Sequence, residues 1–116
     1  MNRGDIWLID LGGRIGRRPV IVLTRQNVLE FVSKVIVAEI TTRGKGYPTE
    51  IDIDQKANLP KQSFVQVDNL HTVPKQRLER YVGTLDPDTM REVSRKVVLA
   101  LELETSMYDA RRRDHG

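Results

Sequence analysis

The densest concentration of cations beside flexible backbone in this sequence is Gly12-Gly13-Arg14-Ile15-Gly16-Arg17-Arg18-Pro19. Glycines let a backbone approach a phosphodiester closely, and a guanidinium fork matches two phosphate oxygens at once. The segment is not a nucleotide-binding P-loop, because Gly-Lys-Ser/Thr is missing. Taken alone it also reads as a solvated turn between strands. Arg18 differs from Arg14 and Arg17 in standing at the threshold of the apolar run Val20-Ile21-Val22-Leu23, where the core can hold and aim its side chain. A second basic glycine segment, Arg43-Gly44-Lys45-Gly46, follows Thr41 and Thr42. A hydroxyl at such a strand end can hydrogen-bond a phosphate, although threonine is also simply a good strand residue.

The missing chemistry narrows the field. A two-imidazole ribonuclease needs one histidine as base and another as acid. Only His71 lies in the body of the chain, and His115 is next to last. There is no cysteine, which excludes disulfides and thiolate metal sites and makes a reducing cytosol the expected compartment. No His/Cys cluster suits zinc. Glu50, Asp52 and Asp54 share one strand face, but side chains two apart on a strand project in parallel and do not converge on one ion. Neither a metal nor a cofactor is expected.

The elements that must position these residues are mostly short strands. Ile6–Leu11, the continuous apolar run Pro19–Thr24, Lys34–Thr42, the alternating Thr49–Asp54, Ser63–Asp68 and Glu79–Gly83 all read as strands. The run Pro19–Thr24 has the composition of a strand buried on both faces, and Gln26–Phe31 has room for a helical turn or two. The period then changes. Asp86 suits an N-cap and Pro87 the first helical position, after which Met90, Val93, Val97 and Leu101 form one apolar face. This predicts a helix to about Glu104, followed by a basic, unpatterned and disordered tail over residues 105–116. Residues 1–104 then make a single domain. Short strands closed by one helix describe a small, strongly bent antiparallel sheet or barrel, mostly β with helices in the α+β class. That pattern fits an oligonucleotide-binding barrel, a peptide-binding barrel or a small enzyme.

At 116 residues, 39% hydrophobic and 30% charged, the composition is that of an ordinary globular domain with one modest core. The N-terminal residues lack the apolar segment of a signal peptide, and no run approaches the roughly 20 apolar residues that cross a bilayer. A cytoplasmic protein without a membrane partner is expected. The net charge of +3 is unevenly placed. Residues 1–49 carry eight Arg/Lys against four Asp/Glu, while residues 50–110 carry eight against eleven. A local positive field of this kind attracts a polyanion, and a solvated surface would also produce it.

In order along the chain, the segments resemble those of the MazF/PemK family of toxin endoribonucleases. The resemblance begins with Arg3-Gly4-Asp5-Ile6-Trp7-Leu8-Ile9-Asp10-Leu11 and continues with Gly16-Arg17-Arg18-Pro19-Val20-Ile21-Val22, Val37-Ala38-Glu39-Ile40-Thr41-Thr42 and Tyr47-Pro48-Thr49-Glu50. Leu59-Pro60-Lys61-Gln62-Ser63, Val67-Asp68-Asn69-Leu70-His71-Thr72-Val73, Lys75-Gln76-Arg77-Leu78 and Val82-Gly83-Thr84-Leu85 follow. With the C-terminal helix it covers roughly residues 3–104.

The resemblance implies a small SH3-like, CcdB-like antiparallel β-barrel with a C-terminal helix. It also implies a homodimer whose grooves hold single-stranded RNA, and a cognate acidic antitoxin. The implied cut is metal-independent: the ribose 2′-hydroxyl attacks the adjacent phosphate, leaving a 2′,3′-cyclic phosphate and a 5′-hydroxyl. Arg18 falls on the arginine of the family's Arg-Pro-Val motif, and Thr41 on the threonine that closes its third strand. Arginine is effectively always protonated, which suits it to stabilising phosphorane charge or protonating the leaving oxygen and not to acting as a resting base. Arg14, Arg17, Thr42, Arg43, Lys45, Asp68, Asn69 and His71 are the expected RNA-binding residues. His71 stands where the family often has arginine in an Ile-Arg-Thr segment. The Gly12–Arg17 loop is shorter than the family's common version, which bears on cleavage sequence and inhibition. Two rival readings are a CcdB-like gyrase-poisoning toxin and a non-catalytic nucleic-acid-binding barrel. The first normally places a tryptophan near its last helix, whereas Trp7 is the sole tryptophan here.

Overall fold

In the computed structural model, which describes residues 1–104, the strands are β1 (Asp5–Asp10), β2 (Arg17–Val22), β3 (Lys34–Thr41), β4 (Glu50–Asp54), β5 (Ser63–Pro74) and β6 (Arg80–Thr84). They form one antiparallel sheet in the order β4-β5-β3-β2-β1-β6, followed by helix α1 (Pro87–Ala100). The tail expected over residues 105–116 lies outside the described residues. No helix among the described residues is long and apolar enough to cross a membrane.

The sheet separates two cores. On the face covered by α1, Ile6, Ile21, Ile40, Ile51, Val65 and Val67 pack with Met90 and Val93 of the helix. On the opposite face, Ile9, Val20, Val22, Val35, Val37 and Val73 pack with Leu29 and Leu78, which approach from loops. Successive residues of β2 therefore enter different cores, which is why its sequence is a continuous apolar run. In β4, Ile51 and Ile53 are buried and Asp52 and Asp54 exposed, as strand alternation requires.

The sheet curls until its two edges meet. Asn58, in the turn after β4, donates from Nδ2 to the carbonyl of Val82 in β6 at 3.0 Å. A Cβ on Gly83 would lie 2.3 Å from the carbonyl oxygen of Ala57 and 2.6 Å from its carbon. Since real Cβ atoms do not approach backbone so closely, only glycine allows this closure of the half-barrel. Gly83→Ala should destabilise the fold by about 1–3 kcal/mol through overpacking, measured as a lowered urea midpoint. An unchanged midpoint would mean that the β4–β6 approach contributes nothing.

Three elements differ from their sequence-based expectation. The helical segment at Gln26–Phe31 is a single tight turn, Gln26–Val28. Strand β5 continues six residues past Asp68 to Pro74 because β3 offers a partner along that length, from Lys34↔Pro74 to Thr41↔Phe64. Helix α1 starts as expected, with the Asp86 carboxylate accepting from Thr89 N–H. Hydrogen bonds from the Thr89 hydroxyl and backbone hold that carboxyl down at about 2. The helix ends at Ala100, short of Glu104: Leu101 is half exposed with no core to bury it, and Glu102 turns into the left-handed region at φ 55°.

Candidate active site

The registers of three adjacent strands assemble the site. Val20 pairs with Glu39 between β2 and β3, and Val37 with His71 between β3 and β5. Residues two apart on a strand share a face, so Arg18, Glu39 and His71 lie on one diagonal across the sheet, on the side away from α1. The contacts follow. Arg18 Nη1 donates to Glu39 Oε1 at 3.0 Å, and His71 Nε2 lies 2.6 Å from Glu39 Oε2. The Glu39 side chain is 8% exposed, whereas those of Arg18 and His71 keep 30% and 29%. Burying a carboxylate costs several kcal/mol unless it is paired, and here each oxygen has its own partner.

This pairing also fixes the guanidinium. Glu39 engages one nitrogen, while the buried Nε of Arg18 has no hydrogen-bond partner. A buried donor left unpaired is unfavourable, and the part of Arg18 that an anion can reach is the 30% of its side chain left open to solvent. Continuing the β2–β3 register two residues beyond Val20↔Glu39 sets Arg18 opposite Thr41. Thr41 Oγ1 accepts from the N–H of Arg43 at 3.1 Å, which orients the hydroxyl and leaves its own hydrogen to donate.

Next to the diagonal, the β3–β5 register shifts between Ala38 and Glu39, so that Ala38 pairs with Leu70 and Glu39 with Gln66. The extra residues include Asp68 and Asn69, both poor strand formers, and a bulge of this kind re-aims side chains. They line a cleft of about 130 Å³ together with Lys45, Tyr47, Thr49, Glu50 and Gln66. Thr49 donates its hydroxyl to Asp68, and Asn69 Nδ2 donates to Gln66 Oε1 at 3.1 Å. Glu50 accepts from the N–H groups of Lys45 and Gly46 at 2.8 Å and from Gln66 Nε2 at 2.9 Å. Partial burial works to raise its pKa, but these amide donors outweigh that effect and hold it below the usual carboxylate value.

Of the residues singled out in the sequence, Arg18, Thr41 and His71 come together on adjoining strands, and Lys45, Asp68 and Asn69 share the neighbouring cleft. Arg14, Thr42 and Arg43 are exposed loop residues. Arg17 is tethered to Glu79 at 3.0 Å on the surface. Sequence reasoning passed over Glu39, although a single carboxylate inside Val35-Ile36-Val37-Ala38-Glu39-Ile40 has to find a cation once its strand is buried. It also passed over Tyr47, a half-exposed ring in a polar loop where a base could stack, and Gln66. Glu50, Asp52 and Asp54 do not converge: Asp52 accepts from Gln62 and from the Asp54 backbone. Among the described residues no three His, Cys, Asp or Glu side chains are gathered as a metal site.

The sheet and its C-terminal helix have counterparts among known proteins. Residues 2–101 match the family model described as a PemK-like, MazF-like toxin of type II toxin-antitoxin systems. The chain belongs to that toxin family. It is 33% identical over 93 residues to a probable endoribonuclease MazF2 of Mycobacterium tuberculosis (strain CDC 1551 / Oshkosh), covering 79% of this chain and 89% of that relative. Among solved structures, the Mycobacterium tuberculosis toxin MazF-mt6 is 32% identical with a TM-score of 0.77, covering 84% of this chain and 96% of that one. An endoribonuclease in complex with its cognate antitoxin, from a mycobacterial species, is 26% identical with a TM-score of 0.79, covering 89% and 96%. The MazF-type fold expected from the sequence, an antiparallel sheet curled into a half-barrel with one C-terminal helix, is the fold found. In this MazF/PemK toxin the sole tryptophan, Trp7, packs against the core away from α1 and meets Tyr81 edge-on with ring centroids 5.7 Å apart.

Proposed function

We propose that this MazF/PemK toxin is a cytoplasmic endoribonuclease that cuts single-stranded RNA without a metal, by attack of the ribose 2′-hydroxyl on the adjacent phosphate. The products are a 2′,3′-cyclic phosphate and a 5′-hydroxyl. The observation that carries this reading is the Arg18 guanidinium: Glu39 anchors it through one nitrogen while 30% of the side chain stays open to solvent. A fixed, permanently charged donor with unused hydrogens suits the charge that builds on a pentavalent phosphate. Thr41 adds a hydroxyl donor to the same phosphate. Arg14, Arg17, Thr42, Arg43 and Lys45 hold the backbone, Asp68 and Asn69 face the bases, which single-stranded RNA offers unstacked, and His71 lies against the RNA beside Glu39.

The partners in this reading are the RNA, a second copy of the chain and an acidic antitoxin. The relative solved with its cognate antitoxin supports the last. A sheet this small, with β4 and β6 as its edge strands, leaves surface that a second copy can cover, which supports a homodimer. The antitoxin and RNA need the same cations, so each should displace the other, and both should bind more weakly in salt.

Incubation of the purified protein with mixed-sequence RNA in excess EDTA tests the reading. Expected are discrete fragments at the rate seen without EDTA, with a cyclic phosphate on each upstream piece. Binding without cleavage would favour a non-catalytic barrel, and inhibition of gyrase with intact RNA would favour a CcdB-like toxin. Cleavage abolished by EDTA and restored by a divalent cation would overturn metal independence.

A further inference from the structure

We propose that His71 is the base that accepts the 2′-hydroxyl proton, and that Glu39 is the positioning residue that holds its imidazole in the required tautomer. This rests on the 2′-hydroxyl reading above and supplies the proton acceptor that reading lacks. Neither Arg18, which is permanently protonated, nor the neutral hydroxyl of Thr41 can act as that acceptor. Glu39 is nearly buried with both oxygens engaged, at 3.0 Å by Arg18 and 2.6 Å by His71. His71 is the group of the diagonal that has a titratable lone pair and is partly open to solvent.

The tautomer follows from the contact. A carboxylate oxygen only accepts, so the hydrogen between the two groups belongs to Nε2. In the neutral ring the lone pair is then on Nδ1, the nitrogen that would take the proton. A carboxylate that orients an imidazole base is a general device for activating a hydroxyl. The charged groups around His71 are Glu39 from β3 in direct contact, Arg18 from β2 beyond Glu39, and Asp68 earlier on its own strand, bonded to Thr49. In the step itself, the 2′-O–H proton passes to Nδ1 and a bond forms from the 2′-oxygen to phosphorus. The bond from phosphorus to the 5′-oxygen breaks, and that oxygen takes a proton from water. The imidazolium returns its proton to solvent, so no proton is gained or lost overall.

The test compares wild-type, His71→Gln, His71→Ala and Glu39→Gln proteins in single-turnover cleavage of a short RNA with one mapped cut site, from about pH 5 to about pH 9. The glutamine at 71 keeps an N–H donor for Glu39 and has no basic nitrogen. It therefore preserves a structural contact while removing the base. Expected is a loss of about 10²–10⁴ in rate for both His71 variants, and a fall in rate on the acid side for the wild type that both variants lack. Added imidazole should partly restore His71→Ala, and Glu39→Gln should retain a displaced acid limb at reduced rate. His71→Gln at the wild-type rate with the acid limb intact would overturn the proposal. So would an effect confined to KM, which would make His71 a binding residue. The wild-type product separates the two levels of the argument: without a cyclic phosphate the 2′-hydroxyl reading fails first, and with one only the assignment of His71 is at stake.

Discussion

Arg18→Ala should lower the cleavage rate by about 10²–10³, the usual consequence of removing one preorganised donor from a developing oxyanion. The basis is geometric. Arg18 is the guanidinium held by a nearly buried carboxylate while part of its side chain stays open to solvent, whereas Arg17 is turned aside toward Glu79. The fold should survive, because Val20, Ile21 and Val22 are fully buried and anchor β2 independently of Arg18. Glu39 keeps its hydrogen bond to His71 but loses its cationic partner, so a lowered melting point accompanies the variant. Arg18→Lys separates catalysis from stability. A lysine restores a positive charge beside Glu39 but is a point charge, and it cannot grip Glu39 and a phosphate in one plane. It should therefore melt close to wild type and still cleave poorly. Full single-turnover activity in either variant would remove Arg18 from the mechanism.

An RNA with a 2′-deoxy or 2′-O-methyl sugar at the cut nucleotide should resist cleavage there completely, while neighbouring unmodified sites are still cut. The 2′-hydroxyl is an intramolecular nucleophile, and such groups act at effective concentrations of about 10⁵–10⁸ M. A site built to orient that hydroxyl has nothing to activate once it is absent. Mass spectrometry of the fragments checks both halves of the prediction, the intact modified site and the cyclic phosphate on unmodified upstream pieces. A cut at the modified position would require water as the nucleophile, and the roles given to Arg18, Thr41 and His71 would have to be rebuilt around it.

The amino-acid sequence alone determined the parts of this protein governed by short-range physics. Apolar alternation placed Ile51 and Ile53 inside and Asp52 and Asp54 outside, because a strand's side chains alternate whatever lies next to it. The uninterrupted run at Val20–Val22 announced a strand with a core on each side. Asp86 and Pro87 marked the start of α1, since a cap and the first helical residue act within one turn. Arg18 was legible from its place at the edge of the apolar run, and the absence of cysteine and the scarcity of histidine narrowed the possible chemistry.

What only the tertiary structure decided depends on which strands meet and in what register. Glu39 reads as one polar residue in an apolar strand until β2 and β5 close on either side of β3, bringing Arg18 from 21 positions away and His71 from 32. The cleft around Tyr47, Gln66 and Asn69 depends on a register shift at Ala38/Glu39. The requirement for glycine at position 83 depends on a turn 26 residues earlier arriving against its backbone. The helix end shows the converse: the apolar period predicts that it continues to Leu101 and beyond, but the core it would cover ends first. Periodicity reports which face of an element seeks burial. Pairing register, bulges and the extent of the core are settled between elements far apart in the chain, and the diagonal of Arg18, Glu39 and His71 exists only there.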